Sequence, residues 1–398
     1  MAVILHEREW VQRGGVGSYR EEQRLTGTDP SADAERMIAK GPAPFLGASK
    51  SAAAASMTGR GLGRPHESHT YAALDLGTNN CRLLIARPEL RPRRRGGDQL
   101  RIVDAFSRIV RLGEGVGRSG RISEEAIART LEALDVCRAK MDARGVTRAR
   151  LIATQACRSA VNGDEFVALV YERTGLDLEI IDRATEARFA ARGCGALVDR
   201  DSGGVLLFDI GGGSTELVWL ARRAGAPSGR LELVDWTSLE IGVVTLAETF
   251  GGRSVSDQTF KAMTALALDQ LSPFAEATKA QPRCDHFHLL GASGTVTTLA
   301  GVHLGLKRYD RWRIDGLWMS NEEASSAIAT LRNMDFEQRV ANSCIGPQRA
   351  DLVLAGCAIF EAIRELFPAR RTRIADRGLR EGMLLELMEA DGAFDQLR

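Results

Sequence analysis

The sequence has little net charge and no closely paired cysteines, and these absences exclude several classes of protein. Its net charge is +1 over 398 residues, which indicates neither a nucleic-acid partner nor attraction to a membrane surface. The seven cysteines form no C-x-x-C pair, which argues against a disulfide framework and a zinc ribbon and predicts a reducing, cytoplasmic location. No apolar run approaches the length of a membrane span, and we expect no signal peptide at the N-terminus.

The composition that remains is that of a globular protein with more than one domain. Hydrophobic residues make up 44% and charged residues 26% of the chain, and 398 residues are too many for one compact core. Residues 1–69 are rich in glycine, alanine and serine without sustained periodicity, so we expect a disordered or poorly ordered extension. The folded part is predicted to comprise a first domain at 70–193 and a second at 194–398, the latter with C-terminal helices.

The predicted order of strands and helices occurs twice along the chain. The first half has predicted strands at 71–75, 81–87 and 100–110, followed by alternating helices and strands up to residue 192. The second half has predicted strands at 205–209, 214–220, 230–238 and 288–290, and helices at 243–250, 257–280, 295–302, 321–332, 350–367 and 380–388. Three strands followed by alternating helices and strands are typical of a ribonuclease-H-like domain, so the sequence predicts an α/β fold with two such domains.

Each half begins with a glycine-containing turn that follows an acidic strand end. The first turn reads LDLGTNN at 74–80, and the second reads FDIGGGSTE at 208–216. Glycine lets backbone N–H groups approach an anion closely, and hydroxyl side chains add further donors. Asp75 and Asp209 could hold a divalent cation against phosphate oxygens, and the hairpin could bring Glu216 close to Asp209. Two such turns facing each other would clamp a phosphate chain, although an ordinary hairpin explains the first turn equally well.

Three further segments carry candidate chemistry. Arg158 lies on a strand-to-helix connection, where it could bind phosphate through two hydrogen bonds or be an ordinary surface arginine. Glu186 starts a predicted helix, where it could be a general base or a first-turn glutamate favoured by the helix dipole. The segment LGASGTVTTLAG at 290–301 combines a glycine-rich turn with a helix start, which suits an anion or a nucleotide.

Taken together, these segments resemble the exopolyphosphatase / guanosine pentaphosphate phosphohydrolase (Ppx/GppA) family, in its short two-domain form. That family belongs to the actin-like ATPase and sugar kinase superfamily, whose two domains enclose a cleft. The resemblance runs from residue 73 to about residue 388. It depends on seven motifs in the family's order: DLGTNNCRLLI, ATQACRSAVNG, TEARFAARG, FDIGGGSTEL, SLEIGVVTL, GASGTVTTLAG and IADRGLREGML.

The resemblance implies a magnesium-dependent hydrolase that releases terminal orthophosphate from inorganic polyphosphate, with Mn²⁺ as an alternative metal. Guanosine pentaphosphate (pppGpp) is the alternative substrate, and a sugar-kinase-like phosphotransferase is a more distant alternative. By resemblance, Glu186 activates the attacking water and Arg158 binds the phosphoryl group. The residues expected to bind substrate phosphates are Gly77, Thr78, Asn79, Gly211, Gly212, Gly213, Ser214 and Thr215, and those expected at the metal are Asp75, Asp209 and Glu216.

Two expectations concern partners and the surface. A homodimer is expected by resemblance alone, and neither nucleic acid nor a membrane is expected as a partner. The four arginines between Arg91 and Arg95 lie on a predicted hairpin connection. They could follow a polyphosphate chain or could simply be solvated, as charged hairpin tips usually are.

Overall fold

Two mixed β-sheets, one in each half of the chain, form the framework of the computed structural model. The structure describes residues 69–89, 99–222, 231–279 and 286–395. The N-terminal segment 1–68 and the arginines at 91–95 lie outside the described residues, so the expectations for both stay predictions.

The first sheet has five strands in the order β3-β2-β1-β4-β5. Its first three strands form an antiparallel meander, and β4 and β5 add to the other side of β1 in parallel. The bounds of the strands are Tyr71–Leu76 (β1), Asn80–Pro88 (β2), Leu100–Ile109 (β3), Arg148–Ala153 (β4) and Glu179–Ile180 (β5). Because β1 is almost entirely buried, its apolar run ends inside the protein, and the turn that follows it opens towards the second half.

The second sheet repeats this plan and adds one strand, in the order β10-β11-β9-β6-β7-β8. Its meander is again antiparallel, and β9 and β11 again extend the sheet in parallel from the first strand. The bounds of the strands are Gly204–Ile210 (β6), Thr215–Arg222 (β7), Leu231–Leu239 (β8), Phe287–Gly291 (β9), Trp318–Ser320 (β10) and Arg371–Ile374 (β11). The predicted duplication is therefore present in the strand connections.

The helices pack on the faces of the two sheets. In the first half they are Val116–Ser119 (α1), Glu124–Ala143 (α2), Gln155–Ser159 (α3), Gly163–Thr174 (α4) and Arg183–Cys194 (α5). In the second half they are Val243–Phe250 (α6), Asp257–Lys279 (α7), Gly294–His303 (α8), Arg311–Ile314 (α9), Asn321–Asn333 (α10), Phe336–Ala341 (α11), Val353–Leu366 (α12) and Leu379–Ala390 (α13). In the part of the chain that is described, no helix combines the length and the apolar character needed to cross a bilayer.

Helix α13 connects the two halves, because it follows the second sheet in sequence but packs against the first. Its buried residues Met383, Leu384 and Met388 share a core with Tyr71 and Ile152 of the first sheet. It also packs closely against α5: a Cβ placed on Gly382 would lie only 2.0 Å from the carbonyl oxygen of Phe189. This contact holds α5, which carries the predicted base, at the boundary between the halves.

Candidate functional site: a cleft between two phosphate loops

The two predicted turns have the same backbone geometry. In the first turn, the N–H of Gly77 donates to the carbonyl oxygen of Asn80 at 2.9 Å. In the second turn, the N–H of Gly211 donates to the carbonyl oxygen of Ser214, also at 2.9 Å. We call residues 75–80 the first phosphate loop and residues 209–216 the second phosphate loop. The same turn closure in both halves extends the duplication to the candidate site itself.

The two phosphate loops meet at the base of a cleft. A Cβ on Gly212 would lie 3.0 Å from the Cβ of Thr78, so only glycine lets the loops approach this closely without displacing a neighbour. A Cβ on Gly213 would lie 2.0 Å from Oε1 of Gln155, which also accepts a 3.0 Å hydrogen bond from the hydroxyl of Thr78. Gly212 and Gly213 therefore serve close packing between the halves.

Residues from both loops line one cavity, together with parts of α5, α8 and the segment before α12. Among the predicted phosphate ligands, all but one line this cavity. The exception is Thr215, which is fully buried and donates its hydroxyl to the carbonyl oxygen of Ile241 at 2.6 Å. The predicted residues that line the cavity are Asp75, Gly77, Thr78, Asn79, Glu186, Asp209, Gly211, Gly212, Gly213, Ser214 and Glu216.

The carboxylates of the second loop lie side by side. Asp209 and Glu216 are direct partners in the β6–β7 register, as the hairpin pattern predicts. The hydroxyl of Ser238, on β8, donates to Oε1 of Glu216 at 2.8 Å and orients that carboxylate. In the first hairpin, the residue opposite Asp75 is Arg82, so the corresponding position carries the opposite charge.

Arg158 and Glu186 form an ion pair although they lie 28 residues apart in sequence. Nη1 of Arg158 lies 2.8 Å from Oε2 of Glu186 and also donates to the carbonyl oxygen of Ile181 at 2.8 Å. The two side chains are only 16% and 12% exposed, so the pair is held in a fixed geometry. Nε and Nη2 of Arg158 are buried without a partner, and the arginine lies behind Glu186, not on the cavity wall.

Local structure explains why Glu186 lies at the cavity. The carboxylate of Asp182 caps α5 by accepting a 2.7 Å hydrogen bond from the N–H of Thr185. This cap fixes the first turn of α5, and Glu186 is in that turn. Arg158 is carried by α3, a five-residue helix within the segment that the sequence predicts as a connection.

The four acidic side chains of the cavity lie in an environment that disfavours their charge. Burial raises the pKa of Glu186, the charge of Glu216 raises it further, and the Arg158 guanidinium opposes this shift. Burial also raises the pKa of Asp209 to about 7. The pKa values of Asp75 and Glu216 are raised for the same reason, and Asp209 adds to the shift at Glu216. A bound cation would relieve this repulsion.

These carboxylates suit a hard divalent cation. In the described ranges, no three Asp, Glu, His or Cys side chains are arranged as a complete metal cage. Mg²⁺ does not require one, because it commonly binds through one or two carboxylates and completes its shell with water and substrate phosphate. Asp209 with its neighbour Glu216, or with Asp75 on the opposite loop, provides such oxygen ligands, so the residues present fit the metal.

Several residues of the cleft were not predicted from the sequence. Gln155 links both phosphate loops, and Arg82, Arg349 and Arg380 add positive charge at the cavity or at a second cavity beside it. Arg82 could have been found from the duplication, because it follows Asp75 by the same interval as Glu216 follows Asp209. Arg349 and Arg380 carry no comparable signal, since they reach the cleft only through the packing of α12 and α13.

The predicted anion-binding segment at 290–301 also reaches the cleft. The hydroxyl of Ser293 caps α8 by accepting a 3.3 Å hydrogen bond from the N–H of Val296. Ser293, Gly294 and Thr295 line the same cavity as the phosphate loops. The start of α8 therefore forms the wall of the cleft on the side of the second half.

Comparisons with known proteins agree with this geometry. Exopolyphosphatase 2 of Mycobacterium tuberculosis is 31% identical over 326 residues, which cover 79% of this chain and 98% of that protein. Guanosine-5'-triphosphate,3'-diphosphate pyrophosphatase of Photobacterium profundum is 29% identical over 325 residues, which cover 81% of this chain and 60% of that protein. The crystal structure of the Aquifex aeolicus member of the Ppx/GppA family superposes with a TM-score of 0.64 at 28% identity, covering 81% of this chain and 98% of that chain.

The predicted fold is confirmed by this structural similarity, since Ppx/GppA proteins have the actin-like ATPase fold. The model of the Ppx/GppA phosphatase family matches residues 93–391, a span that begins after the first phosphate loop and contains the second loop, Arg158 and Glu186. The predicted resemblance is thus also confirmed, and the chain belongs to the Ppx/GppA phosphatase family.

Proposed function

We propose that the chain is a magnesium-dependent exopolyphosphatase, which hydrolyses the terminal phosphoanhydride bond of inorganic polyphosphate and releases orthophosphate. The observation that carries this proposal is the Arg158–Glu186 pair beside a cavity formed by two phosphate loops. The similarity to exopolyphosphatase 2 of M. tuberculosis, which extends over 98% of that protein, supports it.

Glu186 is the proposed general base. Its carboxylate would accept a proton as the water oxygen forms a bond to the terminal phosphorus and the bond from that phosphorus to the bridging oxygen breaks. The displaced bridging oxygen remains on the shortened chain. A base is most effective when its pKa is close to the working pH, and the burial of Glu186 raises its pKa in that direction.

The phosphate loops and Arg158 would position and stabilise the reacting phosphoryl group. Backbone N–H groups at Gly212 and Gly213 and the hydroxyl of Ser214 are suited to the non-bridging oxygens. Arg158 would hold the Glu186 carboxylate in place, and its unpartnered Nε and Nη2 would reach a phosphoryl oxygen only after the side chain moved out from behind Glu186. Phosphoryl transfer depends mainly on such positioning and charge neutralisation.

Asp75, Asp209 and Glu216 are the proposed metal ligands, partly through water. Mg²⁺, or Mn²⁺ in its place, would neutralise negative charge on the phosphate oxygens when bound there. Ser238 would hold Glu216 in a fixed orientation for this role.

A second candidate substrate is pppGpp, because it offers the same bond type. A second cavity adjoins the phosphate loops and is lined by Tyr309, Asp376, Arg377 and Arg380, which leaves room for a nucleoside beside the clamp. The similarity to the pyrophosphatase of P. profundum is consistent with this candidate.

One assay distinguishes the candidates. Orthophosphate release would be measured with Mg²⁺ in parallel from long polyphosphate, short polyphosphate, pppGpp and ATP. We expect the highest kcat/KM with polyphosphate. A higher value with pppGpp would transfer the proposal to that substrate, and ADP formation that depends on a sugar would favour the phosphotransferase.

The proposed location is the cytoplasm. The six described cysteines are all unpaired, and Sγ of Cys81 lies 3.8 Å from Sγ of Cys137 without a disulfide bond, which is consistent with a reducing compartment. The homodimer expected from the family resemblance stays a prediction.

A further inference from the structure

The segment at 110–115, which we call the bridging segment, is bound firmly to the first phosphate loop. The N–H groups of Val110 and Arg111 both donate to the carbonyl oxygen of Asn79, at 2.9 and 3.0 Å. The N–H of Gly113 donates to the carbonyl oxygen of Thr78 at 2.9 Å. Arg111 has a φ of 49°, the only positive φ at a non-glycine residue in the described part of the chain. Such strain persists only where surrounding contacts hold it, so the segment and the loop form one unit.

The side chain of Arg111 extends from this unit to the other half of the protein. Its Nη2 lies 3.0 Å from both carboxylate oxygens of Asp351 and donates to the carbonyl oxygen of Gln348 at 3.2 Å. Asp351 lies between Arg349 and Leu352, which both line the cleft cavity. The two charged side chains are only 30% and 24% exposed, so the bridge is partly shielded from solvent.

A second bridge joins the same segment to the second phosphate loop. The N–H of Gly115 donates to Oε1 of Glu248 at 2.9 Å. Glu248 lies on α6, whose first residues are bound to the second loop. The N–H of Val243 donates to the carbonyl oxygen of Gly211 at 3.0 Å, and the N–H of Val244 donates to the carbonyl oxygen of Gly212 at 2.8 Å. A continuous path of hydrogen bonds and covalent backbone therefore runs from one phosphate loop to the other.

On the basis of the proposed function, we infer that Arg111, Asp351 and Glu248 are positioning residues that set the spacing of the two phosphate loops. None of the three lines the cleft cavity, so they act through the loops and not on the substrate directly. With the bridges formed, the loops are held in the arrangement that grips a phosphate chain from both sides. With the bridges broken, the halves can separate and the grip is lost.

This role has a distinct kinetic signature. If only the bridged conformation binds substrate, the apparent affinity falls by the factor by which the population of that conformation falls. Once substrate is bound and the cleft is bridged, the reacting groups are unchanged. We therefore expect Asp351→Ala to raise KM for polyphosphate about tenfold while kcat stays within about twofold of the wild type.

A charge swap separates positioning from simple structural support. The double variant Arg111→Asp with Asp351→Arg exchanges the two ends of the bridge, and aspartate tolerates a positive φ at position 111 better than most residues. The single variants Arg111→Asp and Asp351→Arg should each raise KM. We expect the KM of the double variant to return most of the way to the wild-type value. Arg121→Ala is the matched control, because it breaks an exposed ion pair with Glu165 that stays within the first half.

Hydrogen exchange of the free protein tests the bridges without any assay of activity. Exchange of the Gly115 amide should be faster in Glu248→Ala and Asp351→Ala and unchanged in Arg121→Ala and in Glu248→Gln, which keeps an acceptor oxygen. Unaltered exchange at Gly115 in the first two variants, an unchanged KM in Asp351→Ala, or a charge swap without recovery would overturn the inference. A wild-type protein that releases no phosphate would instead refute the proposed function, and the exchange result would still decide whether the bridges form.

Discussion

Replacing Glu186 with glutamine should abolish most of the activity and leave the fold intact. Glutamine has the size of glutamate, and its amide oxygen can still accept the hydrogen bond that Arg158 donates to Oε2 at 2.8 Å. It cannot accept a proton from water. General bases contribute about 100-fold to 10,000-fold to turnover, so kcat should fall by that factor, which corresponds to about 3 to 5 kcal/mol in the activation free energy.

Although this variant should lose activity, it should be at least as stable as the wild type at neutral pH. Because burial raises the pKa of Glu186 above its value in the unfolded chain, ionised Glu186 is unfavourable in the folded protein. The stability that this group contributes is present below the unfolded pKa and is lost as the pH rises through the folded pKa. At neutral pH, the glutamine variant should therefore unfold at the same urea concentration as the wild type or a higher one.

The assay is orthophosphate release from polyphosphate under saturating substrate, with unfolding measured on the same preparations. Glu165→Gln is a matched control, because Glu165 also lies in the first turn of a helix but its side chain is 76% exposed on the surface. A Glu186→Gln variant that kept kcat within about tenfold of the wild type, or that lost activity only because it was unfolded, would refute the role of Glu186 as the base.

Three further outcomes follow from the structure. Gly213→Ala should lower kcat/KM about tenfold, since Oε1 of Gln155, 2.0 Å from the new Cβ, has to move away and lose its hydrogen bond from Thr78; Gly117→Ala, with open space around its Cβ position, is the control. Ser238→Ala should raise the Mg²⁺ concentration for half-maximal activity about tenfold, because Glu216 loses its 2.8 Å hydrogen bond; an unchanged metal requirement would exclude this role. Burial lowers the pKa of His288 to about 4, so the stability linked to this residue is present above the unfolded pKa and is lost as the pH falls. Between pH 7 and pH 5, the free energy of unfolding measured in urea should therefore fall by about 2 kcal/mol more for the wild type than for His288→Phe. Equal falls in the two proteins would contradict the lowered pKa of His288.

The strands and helices with strong patterns were predictable from the sequence. Helix α6 begins and ends at the predicted residues, Val243 and Phe250, because its apolar spacing is regular and glycines lie at both ends. Strand β11, Arg371–Ile374, was not predicted although its residues alternate between charged and uncharged, because four residues are too few for the alternation to stand out. The predicted domain division at 193/194 stays a prediction, and the packing of α13 on the first sheet shows why sequence order alone is a poor guide to it.

The loop residues Asp75, Asp209 and Glu216 and the loop glycines were also predictable, because they lie at strand ends with a characteristic pattern. The pairing of Arg158 with Glu186 was not, because it arises from the parallel pairing of β1, β4 and β5 that sets α3 beside α5. The bridge from Arg111 to Asp351 spans 240 residues and has no local signal at either end. Long-range contacts of this kind depend on the packing of the two halves.

The most direct test of the central claim is hydrolysis of polyphosphate in ¹⁸O-labelled water with Mg²⁺. Attack of water on the terminal phosphorus should place one ¹⁸O atom in each released orthophosphate and none in the shortened chain. Glu186→Gln should release labelled orthophosphate about 100-fold to 10,000-fold more slowly than the wild type. Unlabelled orthophosphate, label in the remaining chain, or transfer of the phosphoryl group to an added sugar or nucleotide in place of water would contradict the account.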